Sequence, residues 1–501
     1  MNNQENSKLS HIFNLPNLSF RTQMNIAVDA NAHIKSIINI QPYIFDCTTE
    51  CVTSKCEVKG KIGVKILYID IDNVYNTLTD ELTFAENVSD SNITGDVKVM
   101  MYNEQISTSV DFDDKYLKVN FNVNAKLIGN IDLGMNVCDT EKPDLVLKKK
   151  PLTSCTCIDQ IFARTNLDAN IKLPYRANKI LNICITPTIS NIESNSNYMT
   201  ISGSSVVQVI YDVDSDTMCE LKCFSDVYLW KYEVQANCNS DSIINACVKV
   251  DASTINFTTE LNDTQTDIYL EYEVITKGFV FNTINFDYVE DLYSTKTELE
   301  TNYFERDFDC MQSLVNFSTS VDGELQLKED NQIDEIITTV NHSCLITQCY
   351  NEQKSVVLEG VLASSLIYMT EQREIKAMTC ELPFSISKDV GMDENATPLN
   401  FEITPTRCKT KVKRGNTLSL DYELVVVGYI NKRQHSKVLD SIKCGKSFEY
   451  GDIAFQITVA KPNETMWDFC KRTHTSEAEL REYNKEIPPV FQGGEKVIIY
   501  R

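Results

Sequence analysis

A four-part pattern that recurs three times in the same order constrains this chain more than any other feature. A glycine followed eight residues later by a tyrosine, itself preceded by Leu or Ile, occurs as Gly60 to Tyr68, Gly203 to Tyr211 and Gly360 to Tyr368. Ile37-Ile-Asn-Ile40, Ile180-Leu-Asn-Ile183 and Ile337-Thr-Thr-Val340 each begin 23 residues before that glycine. Leu82-Thr-Phe84, Lys222-Cys-Phe224 and Leu382-Pro-Phe384 follow the tyrosines, and Tyr116–Leu127, Ile268–Thr276 and Leu418–Val427 close the units as alternating stretches. Such repetition marks an internal repeat. Each unit spans about 105–125 residues, the size of an independent domain.

Within the repeats the hydrophobic period is two. Leu117, Val119, Phe121, Val123, Ala125 and Leu127 alternate with Lys118, Asn120, Asn122, Asn124 and Lys126, the signature of a half-buried strand. Helical patterns are scarce, and β-branched, aromatic and turn-forming residues abound. The expected fold is mainly β: three repeated antiparallel β domains, sandwich-like in form, plus a small C-terminal α+β (βααβ) domain. The boundaries read as an N-terminal extension (1–23), repeats at 24–130, 165–281 and 312–432, connectors at 131–164 and 282–311, a linker (433–452) and a terminal module (453–501). Both connectors keep some apolar periodicity, as strands added to neighbouring domains would. The repeated glycine marks a close backbone approach or a bulge, and the tyrosine is a core or edge anchor, not a catalytic phenol.

The pattern changes near the carboxy terminus. Phe455-Gln-Ile-Thr-Val459 reads as a short strand and Lys461-Pro-Asn-Glu-Thr465 as a turn. Thr465 with Asp468 forms a T-x-x-D cap ahead of Met466, Phe469 and Cys470, which share one helix face. Ser476-Glu-Ala-Glu479 is a capping box opening a second helix, with Leu480 and Tyr483 on its inner face, and Lys496-Val-Ile-Ile-Tyr500 is a closing strand. This order and the residues Phe455, Ile457, Val459, Thr465, Met466, Trp467, Phe469, Cys470, Leu480, Asn484 and Gly494 resemble the LysM family. Glycan-binding members of that family present the sugar to the loop after strand one and the loop after helix two. Here Asn463-Glu464 stands where the family has Gly-Asp, and Pro462 stiffens the turn. The resemblance therefore implies a protein-docking derivative, with Asn463, Glu464, Thr465 and Trp467, and Asn484 at the end of helix two, as candidate contacts. Trp467 reads equally as a packing residue or as an aromatic interface anchor.

Charge and cysteine usage limit the remaining classes. With 71 acidic against 47 basic residues the formal net charge is −24, which disfavours phosphate backbones and anionic lipid, and either suits a basic partner surface or simply keeps a large protein soluble. The amino terminus lacks a charged-then-apolar signal pattern, and no apolar run approaches the roughly 18 residues of a membrane helix, so the chain is expected to stay in the cytoplasm. The 18 cysteines include no C-x-x-C, and with histidines at 11, 33, 342, 435 and 474 they assemble no zinc constellation. They read as buried thiols, with oxidative cross-linking as the alternative. No nucleophile elbow, zincin motif or P-loop is present, so neither catalysis nor a cofactor is expected.

Three β repeats ahead of a divergent LysM module are similar to the SipL family, the SpoIVA-interacting spore-coat proteins of clostridial spore-formers, including a Tyr-Ser-x-Lys step at Tyr293-Ser-Thr-Lys296. The resemblance implies a non-enzymatic scaffold in the mother-cell cytoplasm, recruited to the forespore surface. Its partner would be the coat ATPase SpoIVA, bound through the LysM end, with other coat proteins further along. The alternatives are a peptidoglycan-binding protein and a LysM-targeted wall hydrolase. Neither nucleic acid nor membrane insertion is expected.

Overall fold

The alternating patterns fold as antiparallel strands. In β7 (Tyr116–Gly134) the apolar set from Leu117 to Leu127 is buried, while the intervening Lys and Asn residues lie on the half-exposed face, as pleating requires. The computed structural model describes residues 8–27, 34–113, 116–134, 144–214, 219–262, 264–327, 333–414, 416–449, 455–484 and 486–500. Among these the chain is mainly β, with two short helices near its end.

One strand connectivity occurs three times. In the first set β1 (Lys8–Asn14) and β2 (Leu18–Ala27) lie end to end along β7, whose other side pairs with β6 (Lys98–Asp113). Between them in sequence, β3 (Ile34–Val52), β4 (Lys55–Asp70) and β5 (Tyr75–Ser89) form a meander centred on β4. The second set repeats this with β8 (Leu145–Leu173), β9 (Ala177–Asn195), β10 (Tyr198–Asp214), β11 (Cys219–Gln235), β12 (Ile243–Leu261) and β13 (Thr266–Ser294), paired as β8-β13-β12 and β9-β10-β11. The third uses β14 (Thr297–Gln326), β15 (Ile333–Glu352), β16 (Ser355–Thr370), β17 (Ile375–Asp389), β18 (Ala396–Lys413) and β19 (Thr417–Ser447), paired as β14-β19-β18 and β15-β16-β17. Each set encloses one apolar cluster drawn from both of its sheets.

The recurrent residues now have physical reasons. Gly60, Gly203 and Gly360 each face a register shift in the preceding strand, where a bulge pushes its backbone or side chains inward. A Cβ on Gly203 would lie 2.2 Å from the Thr188 carbonyl oxygen, and one on Gly360 would lie 2.0 Å from that of Leu345. An aromatic from the next strand covers each glycine: Phe84, Trp230 and Phe384. The second set thus departs from the expected anchor, because Phe224 pairs with Val209 and Trp230 takes the place over the glycine.

The end of each central strand is buried on both faces. Tyr68, Tyr211 and Tyr368 are buried on the face turned toward their own set, whereas the preceding residues, Leu67, Ile210 and Ile367, meet one another in a cluster shared by all three sets. Ile38, Leu181 and Val340 from the preceding strands complete it. Polar bridges surround this junction: Asn341 Nδ2 donates to Asn39 Oδ1 (2.6 Å) and to the Ile40 carbonyl (2.9 Å), and Gln208 Nε2 donates to the Thr339 carbonyl (3.1 Å). A second junction places Tyr102, Phe279, Phe281 and Tyr429 in series at centroid separations of 5.9, 6.2 and 5.7 Å, the first pair stacked and the other two tilted. Between the first two sets, buried Glu104 accepts from Lys249 and Lys277, each at 2.6 Å. Burial alone would raise its carboxyl, but the two ammonium groups outweigh it and hold Glu104 at about 2.

Strands run through the segments expected to connect. β8 begins at Leu145 inside 131–164, β13 continues to Ser294 and β14 begins at Thr297 inside 282–311, and β19 reaches Ser447 inside 433–452. The expected extension at 1–23 holds β1 and much of β2, and residues 135–143 lie outside the described residues. Beyond Phe281, where pairing with β12 stops, β13 continues against β8 alone as a two-stranded ribbon. β14 and β19 do the same beyond Lys432. Leu152 and Tyr288 on one ribbon pack with Val438 on the other. These segments read as connectors because their pairing partners lie more than a hundred residues away, which local periodicity does not reveal.

The junctions can be tested by substitution. Ile367→Ala, which leaves a void where three sets meet, should cost about 2–5 kcal/mol in urea unfolding. Glu104→Gln leaves two lysines facing each other and should cost roughly 3 kcal/mol. Because the folded carboxyl is depressed to about 2 from an unfolded value near 4.3, its contribution is full above the unfolded value. It disappears as pH falls through the folded one, and the variant should lose this part of the acid dependence.

Candidate docking site in the terminal module

The last described segment folds as β20 (Phe455–Val459), α1 (Met466–Thr473), α2 (Glu477–Tyr483) and β21 (Lys496–Tyr500), with β20 antiparallel to β21. Both expected caps are present. Thr465 Oγ1 accepts from the Asp468 amide at 3.1 Å, and Ser476 with Glu479 forms a reciprocal capping box. Met466, Phe469, Cys470, Leu480, Phe491, Val497 and Ile499 make the core. Tyr483 departs from expectation: it turns outward and lies against Tyr500 at 4.1 Å between ring centroids.

The larger departure concerns the strands. Period-two alternation puts Phe455, Ile457 and Val459 on one face, which a buried strand would turn inward. Instead they are 57%, 56% and 52% exposed, beside Ile498 (38%) and Tyr500 (52%) from β21. The helices cover the opposite face, where Val497 and Ile499 are buried. With Tyr483 at its edge, this open face forms a contiguous apolar patch on a module of fewer than 50 residues. Such clustering marks an interaction surface more often than scattered exposure does.

The five residues expected at the contact edge are distributed differently. Asn463 is exposed at a left-handed turn position, φ +61°, with its amide bonded to the Phe491 carbonyl. Glu464 is buried: its carboxylate accepts from Arg472 Nε at 2.7 Å, from Arg472 Nη2 at 2.9 Å and from the Lys461 amide at 2.9 Å. The Arg472 guanidinium holds that carboxyl below the usual range. Thr465 is the exposed helix cap. Asn484 pins β21, donating to the Leu480 and Ile498 carbonyls and accepting from the Ile498 amide. The loops after β20 and α2 close on each other, so that a Cβ on Gly493 would lie 2.7 Å from Pro462 Cγ.

Trp467 is committed within the chain. Its Nε1 donates to Asp291 Oδ2 at 2.7 Å, and Lys471 Nζ donates to Asp291 Oδ1 at 2.5 Å. The Tyr293 ring meets Trp467 edge-on at 5.1 Å, and the Tyr293 hydroxyl donates to the Thr475 carbonyl at 2.9 Å. Tyr303 donates to the same Asp291 carboxylate at 3.1 Å. Asp291 and Tyr293 stand at the end of the β8–β13 ribbon, so the ribbon carries the module. Burial would raise Asp291, but the bonds from Lys471 and Trp467 outweigh it and lower the carboxyl. Sequence reading placed Asp291-Leu-Tyr293 in a connector and missed this role. The visible signal was the residual apolar alternation of that connector, Phe286, Tyr288 and then Leu292-Tyr293 beside Asp291.

Asp291→Asn should loosen the module while leaving the three β sets folded, seen as faster amide exchange in α1 and faster proteolysis near residue 450. A loss of about 1–3 kcal/mol fits removal of a charge-assisted, half-buried bond. Since the Asp291 carboxyl is lowered in the folded chain, the contact is strongest above the unfolded aspartate range and weakens as pH falls below it.

No known family model matches this chain, and no curated protein or solved structure shows significant similarity to it, so the module is read from its own residues and geometry.

Proposed function

We propose that the chain is a non-enzymatic spore-coat assembly scaffold whose terminal LysM-like module docks onto a protein partner, a SpoIVA-like coat ATPase. It would act in the mother-cell cytoplasm at the forespore surface, where other coat proteins are further candidate partners. The three strand sets would be repeated two-sheet β sandwiches, a reading supported by their shared connectivity and by one apolar cluster in each.

The observation that carries the docking reading is the open apolar face of β20 and β21. Phe455, Ile457, Val459, Ile498 and Tyr500 present apolar area whose removal from water favours association, with Tyr500 of the aromatic kind that anchors interfaces. The closed loops around Pro462 and Gly493 favour protein over peptidoglycan, since a sugar would need the space between them. Trp467 moves from contact residue to internal strut, and Asn463 and Thr465 remain as rim positions.

Removing residues 453–501 should abolish capture of the coat ATPase while the rest of the chain stays folded. Ile457→Asp within the intact chain should weaken binding by about 2 kcal/mol or more, some thirtyfold, without changing the circular dichroism of the protein. Unaltered affinity of a folded Ile457→Asp protein would refute docking through this face. Saturable retention on purified peptidoglycan would instead favour the glycan reading.

A further inference from the structure

Among the described residues, the strand registers place two cysteines directly opposite each other at one position. Cys51 on β3 faces Cys56 on β4, one pair inward from the Val52–Lys55 pair that flanks the two-residue turn Thr53-Ser54. In such a hairpin the pair flanking the turn is hydrogen-bonded, which makes the next pair the closer, non-hydrogen-bonded kind, with Cα atoms about 4.5 Å apart. That separation lies within the roughly 4.4–6.8 Å spanned by disulfides. The spacings Cys155-x-Cys157 and Cys344-x₄-Cys349 look similar in sequence, but each lies along a single strand.

The surroundings add access on one side and shelter on the other. Val52, Thr53, Ser54 and Lys55 are exposed at the hairpin tip, which is held by the Ser54 amide donating to the Ile93 carbonyl at 2.8 Å. Cys56 is fully buried in the first set's core, while Cys51 is half-buried and lines a cleft of about 700 Å³ beside Cys47, Thr49 and Arg164. A small oxidant entering the cleft meets Cys51 before it can reach Cys56.

We propose that Cys51 and Cys56 form an oxidation site, a cross-strand dithiol that a peroxide closes into a disulfide. The Cys51 sulfur attacks the peroxide, the O–O bond breaks, and water leaves with Cys51 as a sulfenic acid. The Cys56 sulfur then displaces a second water, forming the S–S bond. Two thiol hydrogens are lost and one peroxide becomes two waters. Burial, followed by its hydrogen bond to Cys51, pushes the Cys56 thiol up to about 12, so Cys56 ionises poorly in the core and the first step falls to Cys51, which lines the cleft. The loop closed is short, so the bond fixes local register more than it raises global stability. It clamps the wall of the cleft between the first and second sets. This site is independent of docking by the terminal module.

The test is a peptide map of the full-length protein, purified reduced, exposed to hydrogen peroxide and quenched with N-ethylmaleimide. Trypsin cleaves after Lys35, Lys55 and Lys59, so the bond would join peptide 36–55 to peptide 56–59 with loss of two hydrogens. Peptide 36–55 also contains Cys47, and fragmentation assigns the linked sulfur. The linked pair should be the dominant oxidation product, survive in Cys47→Ser and vanish in Cys51→Ser. A bond assigned to Cys47, or Cys56 recovered as a free thiol while other cysteines oxidise, would overturn the proposal. The wild-type map separates these outcomes even if a serine variant misfolds.

Discussion

The double-sided burial of the three central strands is the constraint on which the rest of the molecule depends. A strand inside an ordinary two-sheet layer needs one apolar face. β4, β10 and β16 need two where they end, because Tyr211 and Tyr368 fill their own sets and Tyr68 is buried at the matching position, while Leu67, Ile210 and Ile367 meet at the common junction. Fully burying a side chain of this kind is worth about 1.5–3 kcal/mol. Three such residues with Ile38, Leu181 and Val340 therefore give the junction the substance of a small core. Left alone, any one set would expose this patch to water, so each completes the burial of the other two.

Around that apolar centre, polar groups set the orientation. The Asn341–Asn39 bond and the Glu104–Lys249–Lys277 cluster satisfy groups that would be costly to bury unpaired, and they do so only when the sets adopt one arrangement. The apolar contacts supply the association and the polar ones remove alternatives.

Much of this was legible in the sequence, for reasons that are local. Alternation exposed the strands, the glycine-to-tyrosine spacing exposed the repeat, and Thr465 and Ser476 marked both helix starts by side-chain chemistry that acts within one turn. The sequence was silent wherever the cause is long-range. Trp467 could have been packing or interface; the deciding residue, Asp291, lies 176 positions earlier. Alternation required Phe455, Ile457 and Val459 to share a face but did not say whether the helices would cover that face or its opposite. Cys51 and Cys56 were visible as a spacing, yet their opposition depends on the turn being centred at Thr53-Ser54, which spacing alone does not fix.

The ribbons change what the terminal module is in mechanical terms. Had residues 145–164 and 433–447 been loose tethers, a partner of the proposed docking face would have had to immobilise the module on binding, at an entropic cost that grows with tether freedom. Instead β8 pairs with β13, and β14 with β19, along nearly their whole lengths, and the second ribbon packs on the first. Most of that ordering has already occurred during folding. The direction in which the apolar face points is then a fixed property of each molecule. If the module docks as proposed, many copies on one surface would present that face with a common heading, as a lattice requires and a collection of flexible hooks does not provide.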